Sequence, residues 1–135
     1  MLEIFDNYQL VSKIATGGMA EIFLAKHINS PVNSMPIAIK KVLKQYSSNN
    51  ALIKMFLAEA RIICNINHEN IVRIYDFGKY EEQYFIAMEY VFGQNLGSIL
   101  NKLAQKGSKM PLNLVIEILL GVLSGLDHAH NTKDK

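Results

Sequence analysis

A lysine, a glutamate and a pair of glycines are the residues of this chain whose types and spacing could do chemistry together. The glycines lie in KIATGGMAEIF, between two stretches that read as strands. With Gly17 and Gly18 among small residues, backbone N–H groups can approach an anion without a Cβ in the way. No Lys-Ser/Thr follows them, so the run is not a Walker loop. Lys40 closes PIAIK. Strand alternation puts Ile37 and Ile39 on one face, and Ala38 and Lys40 on the other. From there the lysine could reach phosphates, while Ala38 leaves room for a flat ring. Glu59 falls between Phe56 and Ala60, at the edge of the apolar face of a helical segment. A carboxylate there needs a partner, and Lys40 is the obvious cation. Each feature has an ordinary alternative: a plain hairpin turn, a solvated strand lysine, a surface glutamate near Lys54 or Arg61.

The elements that must position these residues are legible as patterns. Residues 8–14 alternate and stop at ATGG; residues 20–27 read as a second strand, giving an antiparallel hairpin across the glycines. HINSPVNSM, 27–35, is a loop by its Asn, Ser and Pro content, and PIAIKKVL is a third strand. Residues 51–66 place Leu52, Ile53, Phe56, Leu57, Ala60, Ile63 and Cys64 at helical spacing. Ser47, Ser48 and Asn49 are N-cap candidates for that helix. NIVRIYDFGKY (70–80) and QYFIAMEYV (83–91) form a second hairpin around Glu81 and Glu82. Residues 95–106 and 111–130 are helical, divided by KGSKMP. The order β-β-β-α-β-β-α-α predicts an α+β unit with a five-stranded antiparallel sheet, one inserted helix and a helical part after residue 95.

Composition bounds the function classes. The 135 residues are half apolar and 19% charged, with a net charge of +2, as expected of a globular domain. No basic face with interleaved aromatics is present, so nucleic-acid binding has no electrostatic footprint. The single cysteine, Cys64, excludes an intramolecular disulfide and a multi-cysteine metal site; its apolar helical setting predicts a buried structural thiol. The start MLEIFDNYQL does not read as a signal peptide, which makes a reducing cytoplasm the default expectation. In 111–130 the positions Asn113, Glu117, Gly121, Ser124 and His128 recur three to four apart. That stripe predicts an amphipathic core helix, too interrupted for a membrane span.

Five runs in this order resemble the N-terminal part of a protein kinase domain of the bacterial serine/threonine type. They are YQLVSKIATGGMAEIFLAKH (the glycine-rich loop), IAIK (the lysine strand), FLAEARIICNINHENIVRIYDFG (the helix with its Glu, then His-x-Asn-Ile-Val), YFIAMEYVFGQNL (the hinge) and GVLSGLDHAH (the end of a long helix). The resemblance covers about residues 8 to 130. It implies a kinase-like N-lobe over 8–92, hinge exit and first two C-lobe helices over 93–135, and a short lead-in over 1–7. It also implies roles. Gly17 and Gly18 would cover the phosphates of ATP, and Lys40 would pair with the α- and β-phosphates under the orienting hand of Glu59. Ile14, Ile22 and Ala38 would sandwich the adenine, Met88 would stand at the back of its pocket, and backbone groups of Glu89 and Val91 would bond its edge.

The chain departs from the family pattern in two ways. Against G-x-G-x-x-G-x-V it carries Ala15, Gly17, Ala20 and Ile22, so only the middle glycine keeps its place, and Ala15 crowds the phosphate approach. In the second departure, Asp76-Phe77-Gly78 spells the magnesium-holding triplet but stands before the hinge, whereas the family's triplet follows the catalytic loop. Its order makes it a packing and turn feature at the end of the fourth strand, and not a metal ligand. No His-x-Asp occurs in the 135 residues. The catalytic aspartate and both metal-holding residues are thus absent, and the chain alone is expected to bind ATP without turnover, Mg²⁺ being the family's cofactor.

Three readings are open at this stage. The chain is the first part of a protein kinase acting on protein hydroxyls, a nucleotide-binding module without catalysis, or an interaction scaffold. The apolar 111–130 helix is expected to expose a patch open to self-association or docking.

Overall fold

The computed structural model describes residues 3–29 and 35–132; residues 30–34 of the predicted loop lie outside the described residues. The described residues divide into two compact units, one holding the chain up to Asn67 and from Val72 to Tyr90, the other His68–Ile71 and the chain from Val91.

The first unit is an antiparallel sheet of six strands in the order β1-β2-β3-β4-β6-β5. The strands are β1 (Glu3–Phe5), β2 (Tyr8–Thr16), β3 (Ala20–His27), β4 (Ile37–Val42), β5 (Ile74–Tyr80) and β6 (Gln83–Glu89), with α1 (Asn50–Cys64) inserted after β4. Asn49 caps α1 by accepting from the Leu52 N–H at 3.1 Å, as expected of an N-cap asparagine.

Alternation along β4 and β6 sorts the core into two faces. Ile39, Phe85 and Ala87 join Phe5, Tyr8, Leu10 and Ala25 on one face. Val42 and Ile86 join Ala20, Phe56 and Ala60 on the other, so that face carries α1. Phe56, fully buried, is the main anchor of the helix; burying such a ring contributes on the order of 2–3 kcal/mol.

Three expectations need correction. The sheet has six strands, not five, because Glu3–Phe5 of the supposed lead-in pairs with β2, Phe5 opposite Tyr8. Burial of the Phe5 ring in the first core holds so short a strand in place. Cys64 is exposed rather than buried: it ends α1 one turn beyond Ala60, the last buried residue of the helix. The run from Asn70 becomes strand only at Ile74, because the Asn70 and Ile71 N–H groups are held in a turn by His68, through its Nδ1 and its carbonyl.

That second unit contains α2 (Leu96–Gln105) and α3 (Leu112–Asn131). Asn95 caps α2 through the Ser98 N–H at 2.8 Å. Gly107, at φ 64°, follows α2 in the left-handed conformation that ends many helices. The turn His68–Ile71 packs on the glycine side of α3: a Cβ at Gly121 would stand 3.2 Å from the Asn70 amide nitrogen, and one at Gly125 3.4 Å from the Asn70 carbonyl oxygen. His68 Nδ1 accepts from the Asn70 N–H at 3.1 Å, so the neutral ring donates from Nε2 to Ser124 Oγ at 3.2 Å. Of the residues of α3 only Gly125 is buried, and Leu119, Leu120 and Leu123 are exposed. By length and composition α3 is also long and apolar enough to cross a membrane, despite the polar stripe read in its sequence.

Candidate functional site

The α1-bearing face of the sheet, with α1 itself, gathers half of the residues singled out above: Ile22, Ala38, Lys40, Glu59 and Met88. Cross-strand register sets Ile22 of β3 directly opposite Lys40 of β4, and Lys40 opposite Ile86 of β6. One row along, Ala38 stands opposite Met88. Directly opposed residues share a face, so Ile22, Lys40, Ala38 and Met88 form one patch across β3, β4 and β6. Ala38 is buried, and Met88 packs against the core under α1.

Lys40 crosses from this patch to the helix. Its Nζ lies 2.9 Å from Glu59 Oε1 and 3.2 Å from Oε2, and 5.4 Å from the centroid of the Phe56 ring. Two side chains thus define the ammonium's place: the two Glu59 oxygens on one side and the Phe56 ring face on another. The lysine side chain is 18% exposed and the glutamate 45%. The pair is therefore partly buried, the lysine more deeply than the glutamate. Phe56 was missed as a functional residue, although its place one turn before Glu59 puts it on the same side of the helix.

The glycine turn closes the β2–β3 hairpin, with the Gly17 N–H bonded to the Ala20 carbonyl at 2.8 Å. Neither Gly17 nor Gly18 needs a positive φ. A Cβ on Gly18 would meet nothing within 4 Å, and one on Gly17 only the Ala20 oxygen at 3.5 Å. The fold itself thus has no need of glycine here.

Other candidates are placed differently. Ile14 lies in the irregularity between Lys13 and Ala15, without a register partner, and is exposed. Glu89 follows Met88 in β6; its N–H is bonded to the Arg73 carbonyl at 2.8 Å, and its carboxylate accepts from the Arg73 N–H at 3.3 Å. Val91 belongs to the second unit and is exposed.

The Asp-Phe-Gly triplet lies within β5 rather than at its end, with a register shift between Ile74 and Asp76. Asp76 Oδ1 accepts from the Phe77 N–H at 2.8 Å, and Oδ2 from the Tyr8 hydroxyl at 3.4 Å. Phe77 packs against the α1-side core, and a Cβ on Gly78 would touch the Phe85 ring at 3.5 Å. All three residues serve the sheet. Burial, then the Asp76 charge and hydrogen bond, push the Tyr8 hydroxyl up to about 12.

A model of the protein kinase domain family matches residues 8–133. The chain belongs to the protein kinase domain family. Among curated kinases it is 37% identical, over 130 residues and 96% of its own length, to the tyrosine-protein kinase MasK of Myxococcus xanthus. It is 34% identical, again over 96% of its length, to the serine/threonine-protein kinase PrkC of Bacillus subtilis. The chain spans about a fifth of the length of these relatives, 20% and 19% respectively. The crystal structure of the Mycobacterium tuberculosis PknI kinase domain superposes with a TM-score of 0.76 at 24% identity, covering 95% of this chain and 50% of that one. That likeness carries the fold: the sheet with α1 is a kinase N-lobe, and α2 and α3 begin the C-lobe.

Proposed function

We propose that this chain is the nucleotide-holding part of a protein kinase that transfers the γ-phosphoryl group of ATP to serine or threonine hydroxyls of proteins. The observation that carries the proposal is the Lys40–Glu59 pair, at 2.9 and 3.2 Å, on the sheet face that also presents Ile22, Ala38 and Met88. An ammonium fixed by a carboxylate and a ring is preorganised for the α- and β-phosphates of a nucleotide. Ala38, buried and small, gives a flat base room against the strand, with Ile22 beside it and Met88 behind. The glycines support the same reading. Since the fold does not require them, their value lies in letting backbone N–H groups approach phosphate oxygens. The Glu89 N–H is already bonded, so any adenine contact from Glu89 uses its carbonyl; Ile14 and Val91 complete the proposed nucleotide contacts.

Mg²⁺, when bound in a kinase, neutralises charge on the transferring phosphates. The residues present do not fit it. Among the described residues no three His, Cys, Asp or Glu side chains cluster as a metal site, and Asp76 is engaged by Tyr8 and Phe77. No step through the metal is therefore assigned to these residues. The His-Arg-Asp aspartate that would accept the hydroxyl proton is also missing from the 135 residues. Taken by themselves they bind nucleotide and orient its phosphates without turning it over.

The serine/threonine assignment rests on the wording of the glycine loop and on relatives such as PrkC; MasK, named a tyrosine kinase, is the counter-example. The exposed apolar side of α3 is the proposed surface for self-association or docking.

Thermal unfolding with added ATP tests the nucleotide reading. A ligand at 100 times its Kd stabilises by about 2.7 kcal/mol, which raises the melting temperature by several degrees in a domain of this size. An unchanged melting temperature at saturating millimolar ATP contradicts it.

A further inference from the structure

Consecutive residues of a strand face opposite ways, and β4 carries two lysines in succession. Lys40 meets Glu59 on the α1 side. Lys41 points to the other face and is more deeply buried, only 6% exposed. It continues the column begun by Ile37 and Ile39, which belong to the apolar core of that face. Its Nζ lies 4.7 Å from the Phe5 ring centroid and 4.9 Å from that of Phe23, and 3.1 Å from Glu3 Oε1.

An apolar side chain would fill this place at no desolvation cost. A buried ammonium held by one carboxylate contributes little net stability, and its two ring contacts offset only part of its desolvation, so packing alone does not explain the lysine. Positions that break the local pattern without such a gain are where binding roles are expected. Its carboxylate partner is also weakly anchored. Glu3 is exposed, and it opens a three-residue edge strand paired only with β2.

A cleft of about 520 Å³ lies beside this ammonium, lined by Glu3, Phe5, Phe23, Lys41 and Tyr80 among others. That volume suits a small molecule. Phe5 meets Tyr80 edge-on at 5.0 Å, so one wall is aromatic. Lys44 and Glu81 also line the cleft, each without an ion-pair partner among the described residues. Their charges offset, as do those of Lys13 and Glu21, which also line the cleft and pair with each other, and the desolvated Lys41 decides the preference.

We propose that this cleft binds a small-molecule carboxylate carried on an aromatic body, with the Lys41 ammonium as anchor and Glu3 as the internal placeholder that the ligand's carboxylate displaces. The Glu3 carboxylate already shows which group the seat accepts. The site is separate from the nucleotide patch, on the opposite face of the same strand.

Phenylacetate titrated into the 135-residue chain, with phenylacetamide as its neutral counterpart, tests the proposal by aromatic and amide NMR shifts. Phenylacetate should give saturable shifts at Phe5, Phe23 and Lys41, and phenylacetamide should bind several-fold more weakly. Glu3→Gln removes the competing carboxylate and should tighten phenylacetate binding by roughly threefold or more. Lys41→Met should abolish the preference for the acid. Should Lys41→Met fail to fold, the Glu3→Gln arm still decides. Equal binding of acid and amide, absence of saturable shifts, or unchanged or weaker binding in Glu3→Gln overturns the proposal and leaves Lys41–Glu3 a structural ion pair.

Discussion

Replacing Asp76 by Asn separates a structural aspartate from a metal-holding one. Tyr8 is buried and gives its hydroxyl to Asp76 Oδ2 at 3.4 Å. Burial, followed by the Asp76 charge and hydrogen bond, raises this hydroxyl from 10.0 to about 12. Below pH 10 the folded and unfolded chains both keep the proton, and Tyr8 adds no pH dependence. Between pH 10 and about 12 the unfolded chain releases it first, so the folded state loses stability as pH rises. Two pH units correspond to at most about 2.7 kcal/mol; with the long hydrogen bond and solvent screening, about 1–2 kcal/mol is the realistic loss.

Asp76→Asn removes the charge but keeps an oxygen for the Phe77 N–H. Near pH 7 the stability should change by less than about 1 kcal/mol. The Tyr8 titration should move down yet stay above 10, and the alkaline loss should shrink by roughly half, since burial remains. Ring-labelled tyrosine NMR reads the titration, and urea unfolding at about pH 7 and about pH 11 reads the stability. ATP affinity should be unchanged. Either an unmoved Tyr8 titration or loss of ATP binding in a stably folded variant would refute this assignment of Asp76.

Other perturbations probe the remaining parts. Gly18→Ala should leave stability unchanged or raise it by up to about 1 kcal/mol, because a Cβ there meets nothing, while ATP affinity by calorimetry falls. Phe56→Ala, at a fully buried ring, should cost about 3–5 kcal/mol in urea unfolding; a cost below about 1 kcal/mol would mean that α1 is anchored otherwise. The chain should associate in a concentration-dependent way in sedimentation velocity, and Leu120→Glu with Leu123→Glu should return it toward monomer. A sharp wild-type monomer would count against the exposed α3 surface as a contact.

The Lys40–Glu59 meeting was legible because two simple periods converge on it. Alternation put Lys40 on the Ala38 face, and helical spacing put Glu59 at the margin of the Phe56 stripe. What escaped the sequence was decided by long-range packing. Three residues are too few to show a strand period, and β1 exists because Phe5 finds a core made by β2, β3, β4 and β6. Cys64 continues the helical stripe but lies one turn beyond the buried contacts of α1. The register shift before Asp76 breaks the alternation that would have told which way its carboxylate points. Lys41 carried no signal in the sequence, and only its packing against the rings of Phe5 and Phe23 reveals it as buried.

Calorimetric titration of ATP into the wild-type chain and into Lys40→Met tests the nucleotide reading most directly. The account predicts measurable binding to the wild type and loss of most of that affinity in Lys40→Met, with melting of the unliganded proteins changed by no more than about 1 kcal/mol for this partly exposed pair. Equal ATP affinity in the two proteins would contradict it.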